Sequence, residues 1–181
     1  QNYPKGIAEG FATEVAKACD RMAGLGIKPA LLIVDTIFSS DGVYPDPAGF
    51  LAPAVAAIRK AGGLFLADEV QPGFGRTGSE FWGFQRHDLI PDMVSMGKPM
   101  GNGYPLAGLV LKPGTIAEFG ANARYFNTFG GNAVAAAVGL AVLDVIRDEG
   151  LQQNAATVGT AFAEGLRALA RRHETLGETR A

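Results

Sequence analysis

Two short, unbroken apolar runs, each closed by polar residues, constrain this chain more than any other feature. "LLIVDT" (31–36) and "LFLADEV" (64–70) have the length and closure of buried strands. Between them lie a Ser/Gly/Pro-rich loop ending in "YPDP" and then Leu51, Val55 and Ile58 at helical spacing, stopped by Gly62–Gly63. Strand, loop, helix, strand is a βαβ unit, so the two strands are expected to be parallel. "DMVSM" (92–96) and "LAGLVL" (106–111) read as third and fourth strands separated by a glycine-rich turn. Ile7, Phe11, Val15 and Met22 predict a helix upstream, ended by the glycines of "GLGIKP". After a further loop, "GGN" opens an alanine-rich helix carrying Val134, Val138, Val142 and Val145 on one face; a second amphipathic helix carries Leu151, Val158, Phe162, Leu166 and Leu169. The fold class is α/β, with buried strands covered by helices, and no internal repeat appears.

Composition narrows the function classes. With 48 % hydrophobic residues and 25 scattered glycines, the 181 residues describe a folded globular chain. The net charge of −2, with acids and bases interspersed, offers no nucleic-acid groove and no polybasic membrane patch. Cys19 is the single cysteine, so no intrachain disulfide forms and a reducing, cytoplasmic setting is expected. Two distant histidines, His87 and His173, give no zinc-ligand cluster. There is no leader-like segment and no run of about 18 apolar residues. Starting at Gln1, on the approach to a helix, and stopping at "GETRA", the chain reads as a fragment of a longer polypeptide.

Three segments combine polarity with strand ends. In "DEVQPGFGRTG" (68–78), Asp68 closes a strand whose preceding residues are apolar, and open parallel sheets bind ligands outside the carboxyl ends of their strands. In "MVSMGKPMGNGYPLAG" (93–108), Lys98 follows the third strand. In "YFNTFGGN" (125–132), a hydroxyl and small residues precede a helix whose backbone N–H groups suit an anion. A carboxylate, a lysine and an anion site on one sheet edge are what pyridoxal phosphate (PLP) chemistry requires. The lysine forms an imine with the cofactor aldehyde and moves protons at the substrate carbon. The carboxylate keeps a proton on the pyridine nitrogen, which makes the ring an electron sink. On a strand, Asp68 and Val70 share a face, so Val70 is placed to press on the ring.

These segments identify a resemblance to the class III aminotransferases that runs over nearly the whole chain. "DEVQPGFGRTG" resembles the family's Asp-Glu-Val-Gln stretch, with Lys98 thirty residues after Asp68. "MGKPMGNGYPLAG", "YFNTFGGN", "LAVLDVI" and "GETR" are similar to the alanine–glyoxylate aminotransferase 2 group and its phosphoethanolamine phospho-lyase relatives. The resemblance implies the PLP-dependent transferase fold type I: residues 1–150 would be part of the large PLP-binding domain, its mostly parallel sheet flanked by helices and incomplete here. Residues 151–181 would lead into a small C-terminal domain. It implies that Asp68 pairs with the pyridine nitrogen, that Gln71 bonds on the ring-hydroxyl side, and that Lys98 is the Schiff-base lysine. Thr128 would contact the cofactor phosphate in the neighbouring subunit's site, within a dimer or larger assembly sharing its active sites. The departures are Asp35, where the family usually carries Glu, and Phe38, where it often carries Gln. They bear on substrate contacts and leave the cofactor contacts unaffected. The family's N-terminal Gly/Ser phosphate-binding segment and its ring-stacking aromatic are absent, so the isolated chain is expected to be inactive.

Plainer readings stand beside these. A lysine in a loop is ordinarily solvated, but Lys98 follows a strand with Asp68 one strand earlier. Thr128 is expected to act as an N-cap as well as a phosphate contact. Glu69 faces away from Asp68 and reads as structural, Arg76 as organising its own loop, His87 as a solvated surface residue, and Met93, Met96 and Met100 as packing. "GFGRTG" satisfies G-x-G-x-x-G, but the preceding Asp-Glu pair would repel a pyrophosphate and "SEFWGFQRHD" lacks a small-residue helical face. "GKP" lacks the Ser or Thr of a P-loop. The leading expectation is a PLP-dependent aminotransferase moving an amino group from an amine or amino acid to a 2-oxo acid. A phospho-lyase acting on phosphoethanolamine or phosphohydroxylysine, and a non-catalytic scaffold, are the alternatives. Keeping both Lys98 and Asp68 speaks against the scaffold.

Overall fold

The computed structural model describes residues 6–180; Gln1, read above as the approach to a helix, lies outside them. Helix α1 (Ile7–Gly24) is followed by strand β1 (Leu31–Asp35), helix α2 (Ala52–Lys60) and strand β2 (Leu64–Asp68). Strands β3 (Met93–Met96) and β4 (Gly108–Leu111) and helices α3 (Pro113–Asn122), α4 (Ala133–Asp148) and α5 (Leu151–Ala170) complete the chain. The sheet order is β1-β2-β3-β4, with β1–β2 and β2–β3 parallel and β3–β4 antiparallel. The predicted βαβ unit is present and its strands are parallel.

Glycines end the helices where the chain must turn back. Gly62, at φ +84°, closes α2: its N–H donates to the Arg59 carbonyl (2.9 Å) and that of Gly63 to Ile58 (3.0 Å). The chain then enters β2 with the Leu64 N–H on the Ala30 carbonyl (2.9 Å), which sets the register Leu31↔Leu64 through Asp35↔Asp68. The core lies under this pair, where Val34, Phe50, Leu51, Val55, Phe65 and Ala67 are buried and Phe11, Phe38 and Leu89 pack against them. Phe11 meets Phe38 edge-on at 5.5 Å between centroids.

The expectation of strands covered by helices holds on one face only. Ile33 and Leu109, which the register places on the face opposite Val34 and Ala67, are 59 % and 51 % exposed, so that face of the sheet presents apolar side chains to solvent. Helix α3 occupies what reads in sequence as a loop. It buries no residue, and its few large apolar residues, Ile116 and Phe119, are too sparse to mark a helix in sequence.

Candidate functional site at the carboxyl edge of the sheet

The parallel register brings the C-terminal ends of three strands into one row: Asp35 on β1 pairs with Asp68 on β2, which pairs with Ser95 on β3. Lys98 lies three residues beyond Ser95, at the start of a 3-10 turn (Lys98–Met100). Asp68 and Lys98 therefore stand at the same edge of the sheet, on neighbouring strand ends, and Lys98 is solvent-exposed.

Each acid in the row has its own local anchor. The Asp35 carboxylate accepts the N–H groups of Ile37 (3.0 Å) and Ser39 (2.9 Å) and the Ser39 hydroxyl, capping the loop that leaves β1. Asp68 accepts the Val70 N–H through Oδ1 at 3.0 Å. Because β2 stops at Asp68, strand alternation does not extend to Val70 as expected from sequence. Val70 instead follows a turn closed on Asp68, and its isopropyl group lies beside Gly97, the residue before Lys98. A Cβ built on Gly97 would meet Val70 Cγ2 at 3.6 Å. Gln71 is half-buried in the next turn. Lys98 takes φ +35°, in the left-handed region. It is held there by the Met100 N–H on the Gly97 carbonyl (2.8 Å) and the Asn102 N–H on its own carbonyl (3.2 Å).

Behind this edge Glu69 is fully buried. Its carboxylate accepts N–H groups from Gly83 (2.7 Å) and Phe84 (2.9 Å) and the Thr36 hydroxyl (3.2 Å). Burial raises its pKa, and the three hydrogen bonds pull in the other direction. This is the structural role the sequence predicts. His87 is a correction: it is buried rather than solvated. The Gly49 N–H donates to its Nδ1 (3.2 Å) and its Nε2–H donates to the Thr36 carbonyl (2.9 Å), which fixes the neutral tautomer. Burial lowers its pKa. The local sequence is polar; the hydrogen-bond partners of the His87 ring lie 38 and 51 residues away.

Thr128 sits apart from the row, in an exposed segment between α3 and α4. It is not the N-cap of α4. Asn132 is, accepting the Ala135 N–H at 2.9 Å. Asn127 Oδ1 already takes the N–H groups of Phe129 (3.2 Å) and Gly130 (2.9 Å). Fewer backbone donors than expected remain for an anion, and Thr128 is among the remaining groups. The G-x-G-x-x-G stretch enters turns rather than an α-helix, in keeping with its rejection as a dinucleotide loop. Its Gly78 has a different task, the close approach of α5: a Cβ there would lie 2.5 Å from the Ala156 nitrogen. Arg76 is exposed on the same loop. Among the described residues there is no group of three or more His, Cys, Asp or Glu able to hold a metal ion, and no helix long and apolar enough to cross a membrane.

A strand-end acid and a lysine two residues past the adjoining strand end, on a mostly parallel sheet, are joined by a match to the Aminotransferase class-III family over residues 12–181. The chain belongs to that family. Class III aminotransferases are PLP-dependent, and the α/β architecture here is part of their large-domain fold. The chain is 49 % identical over 148 residues to alanine–glyoxylate aminotransferase 2 homolog 2, mitochondrial, of Arabidopsis thaliana, covering 82 % of this chain and 31 % of that one. It is 42 % identical to the human mitochondrial alanine–glyoxylate aminotransferase 2, covering 98 % of this chain and 33 % of that one. It superimposes with a TM-score of 0.91, at 38 % identity, on a phospholyase from Arthrobacter in complex with phosphoethanolamine, covering 96 % of this chain and 41 % of that one. The chain thus spans about a third of the length of these curated relatives. The expectation of a cytoplasmic setting is overturned, because both relatives carry a mitochondrial designation. A single thiol carries no information about the compartment.

Proposed function

We propose that this chain is the cofactor-holding part of a PLP-dependent aminotransferase, which moves an amino group from an amine or amino acid to a 2-oxo acid. The observation that carries the reading is the row of strand ends, with Asp68 and Lys98 at one carboxyl edge. The donor set fits the cofactor. A carboxylate anchored through one oxygen has acceptor capacity on the other for a pyridinium N–H. The Val70 isopropyl group against Gly97 offers an apolar surface to a ring, and Lys98 offers an amine one strand away. When bound, PLP supplies an aldehyde that takes up amines and a ring that withdraws electrons from the substrate carbon.

The chain's own residues do the rest. Asp68 would hold a proton on the ring nitrogen through a charge-assisted hydrogen bond. Val70 would offer an apolar contact to the ring face, and Gln71 would bond on the ring-hydroxyl side. Lys98 would bind the cofactor aldehyde and serve as the base that moves the proton at the substrate carbon. Thr128, on its exposed segment, would bond the cofactor phosphate of a neighbouring copy in a dimer or larger assembly with shared sites. Residues up to 150 belong, in this reading, to the large domain, and 151–181 lead toward a small C-terminal domain.

The likeness to a phospholyase in complex with phosphoethanolamine favours one second reading, a phospho-lyase. The same loss of a proton at carbon would then expel phosphate. The deciding assay follows the full-length protein with PLP, an amino donor and a 2-oxo acid. Amino transfer consuming the 2-oxo acid is expected; phosphate release from phosphoethanolamine without 2-oxo acid consumption would replace the first reading with the second.

A further inference from the structure

The loop that leaves β1 is strained, and the far end of the chain holds it. Phe38, Gly42 and Val43 all have positive φ (48°, 117° and 55°). For a β-branched residue such as Val43 this conformation is an outlier that persists only where the surroundings enforce it. Backbone bonds from Val43 N–H to Phe38 (3.1 Å) and from Tyr44 N–H to Ile37 (2.7 Å) close the loop at its base, and Asp35 caps that base.

Its tip is gripped by Arg180, 137 to 138 residues away. Arg180 Nη1 donates to the carbonyls of Gly42 (2.7 Å) and Val43 (3.1 Å), and its guanidinium carbon lies 3.9 Å from the centre of the Tyr44 ring. Nη2 is paired with Glu178 at 3.3 Å. Gly42 suits this fit through its φ of +117°, which L side chains rarely adopt, and a Cβ there would also press on Tyr44 Cε2 at 3.3 Å. One planar group thus engages three consecutive residues of the strained turn, which a lysine ammonium cannot reproduce.

We infer that Arg180 is a positioning residue. Acting from the C-terminal segment, it locks loop 37–44 at the carboxyl end of β1 and so fixes the wall of the amine-binding side next to Asp68. The inference deepens the proposed function and rests on it. Arg180 touches neither cofactor nor substrate in this account; it acts through the loop.

The test uses the full-length protein, its Arg180→Ala and Arg180→Lys variants, and Tyr44→Phe, read by amide hydrogen exchange and by steady-state kinetics. In Arg180→Ala, exchange in the 37–44 peptide should accelerate by about tenfold or more, with exchange in β2 unchanged as the sign of an intact fold. Arg180→Lys should restore protection only in part, and Tyr44→Phe, which keeps the ring, should exchange like the parent. KM for the amino donor should rise by about tenfold in Arg180→Ala, while the fraction of chains carrying cofactor on Lys98 stays the same. Unchanged exchange in Arg180→Ala overturns the inference, as does faster exchange with KM unaltered. Should the parent protein take up no PLP, the functional reading falls instead, and the exchange measurement alone still decides whether Arg180 locks the loop.

Discussion

Asp68 and Glu69 are adjacent in sequence, yet one is half-buried at the sheet's edge and the other is fully enclosed behind it. The three donors on Glu69 would be left without a partner by its loss, and buried unsatisfied groups cost about 1–3 kcal/mol each. Its neighbour His87 makes the clearest pH prediction. Burial holds its pKa below the ordinary 6.5, and protonating Nδ1 would in addition break the bond from Gly49. The unfolded chain then binds the extra proton first. This contribution to stability is complete above about pH 6.5 and is lost as pH falls toward the folded value. Glu69, with a raised pKa, works in the opposite direction, so the difference between parent and variant is the informative quantity. The parent should lose more urea resistance than His87→Gln between about pH 7 and 5; equal losses would contradict the buried neutral tautomer. Residues of this kind are hard to read in sequence. The acid and lysine of the candidate site carry a motif, whereas His87 is made structural by distant backbone groups that no local pattern records.

The strands and four of the five helices are legible from their periodic or continuous apolar runs, whether buried, as in β2 and α2, or left largely exposed, as in α4 and α5, which bury only Ala135 and Ala163. Helix α3 is the exception: it is short and buries nothing. The ends are less legible than the elements themselves. β2 stops two residues short of its apolar and acidic run because the Asp68 side chain captures the Val70 N–H in competition with the ladder. The antiparallel turn onto β4 likewise leaves no trace in the apolar pattern. The glycines of the 68–78 stretch are also explained at this scale. Gly78, at φ +79° with no room for a Cβ against Ala156, lets α5 dock on the loop that follows Asp68. Gln152 Nε2 donates to its carbonyl at 3.2 Å. Gly78→Ala should therefore destabilise the fold by about 2 kcal/mol or more, through strain at positive φ and through overpacking. Chemical denaturation checks this, and a change under about 0.5 kcal/mol would show that α5 does not depend on that contact.

The whole molecule leaves a large apolar surface open. Besides the bare sheet face, Tyr125, Phe126 and Phe129 are 74 %, 85 % and 81 % exposed in the segment that carries Thr128. Exposed aromatic clusters of this size mark contact surfaces. In the proposed reading this segment reaches a neighbouring copy, so the full-length protein should sediment as a dimer or larger, and Phe126→Asp should weaken self-association by about tenfold or more. An unchanged assembly would detach Thr128 from the account. What the sequence could not reveal at this scale is which apolar residues face the core and which face a partner, because both are equally apolar.

In the proposed reading, residues on two adjoining strand ends hold one cofactor. The direct measurement is borohydride reduction of the full-length protein with PLP, followed by peptide mass spectrometry. The added mass should fall on the peptide containing Lys98, disappear in Lys98→Ala, and form much less readily in Asp68→Ala. A label on another lysine, or uptake indifferent to both substitutions, would contradict it.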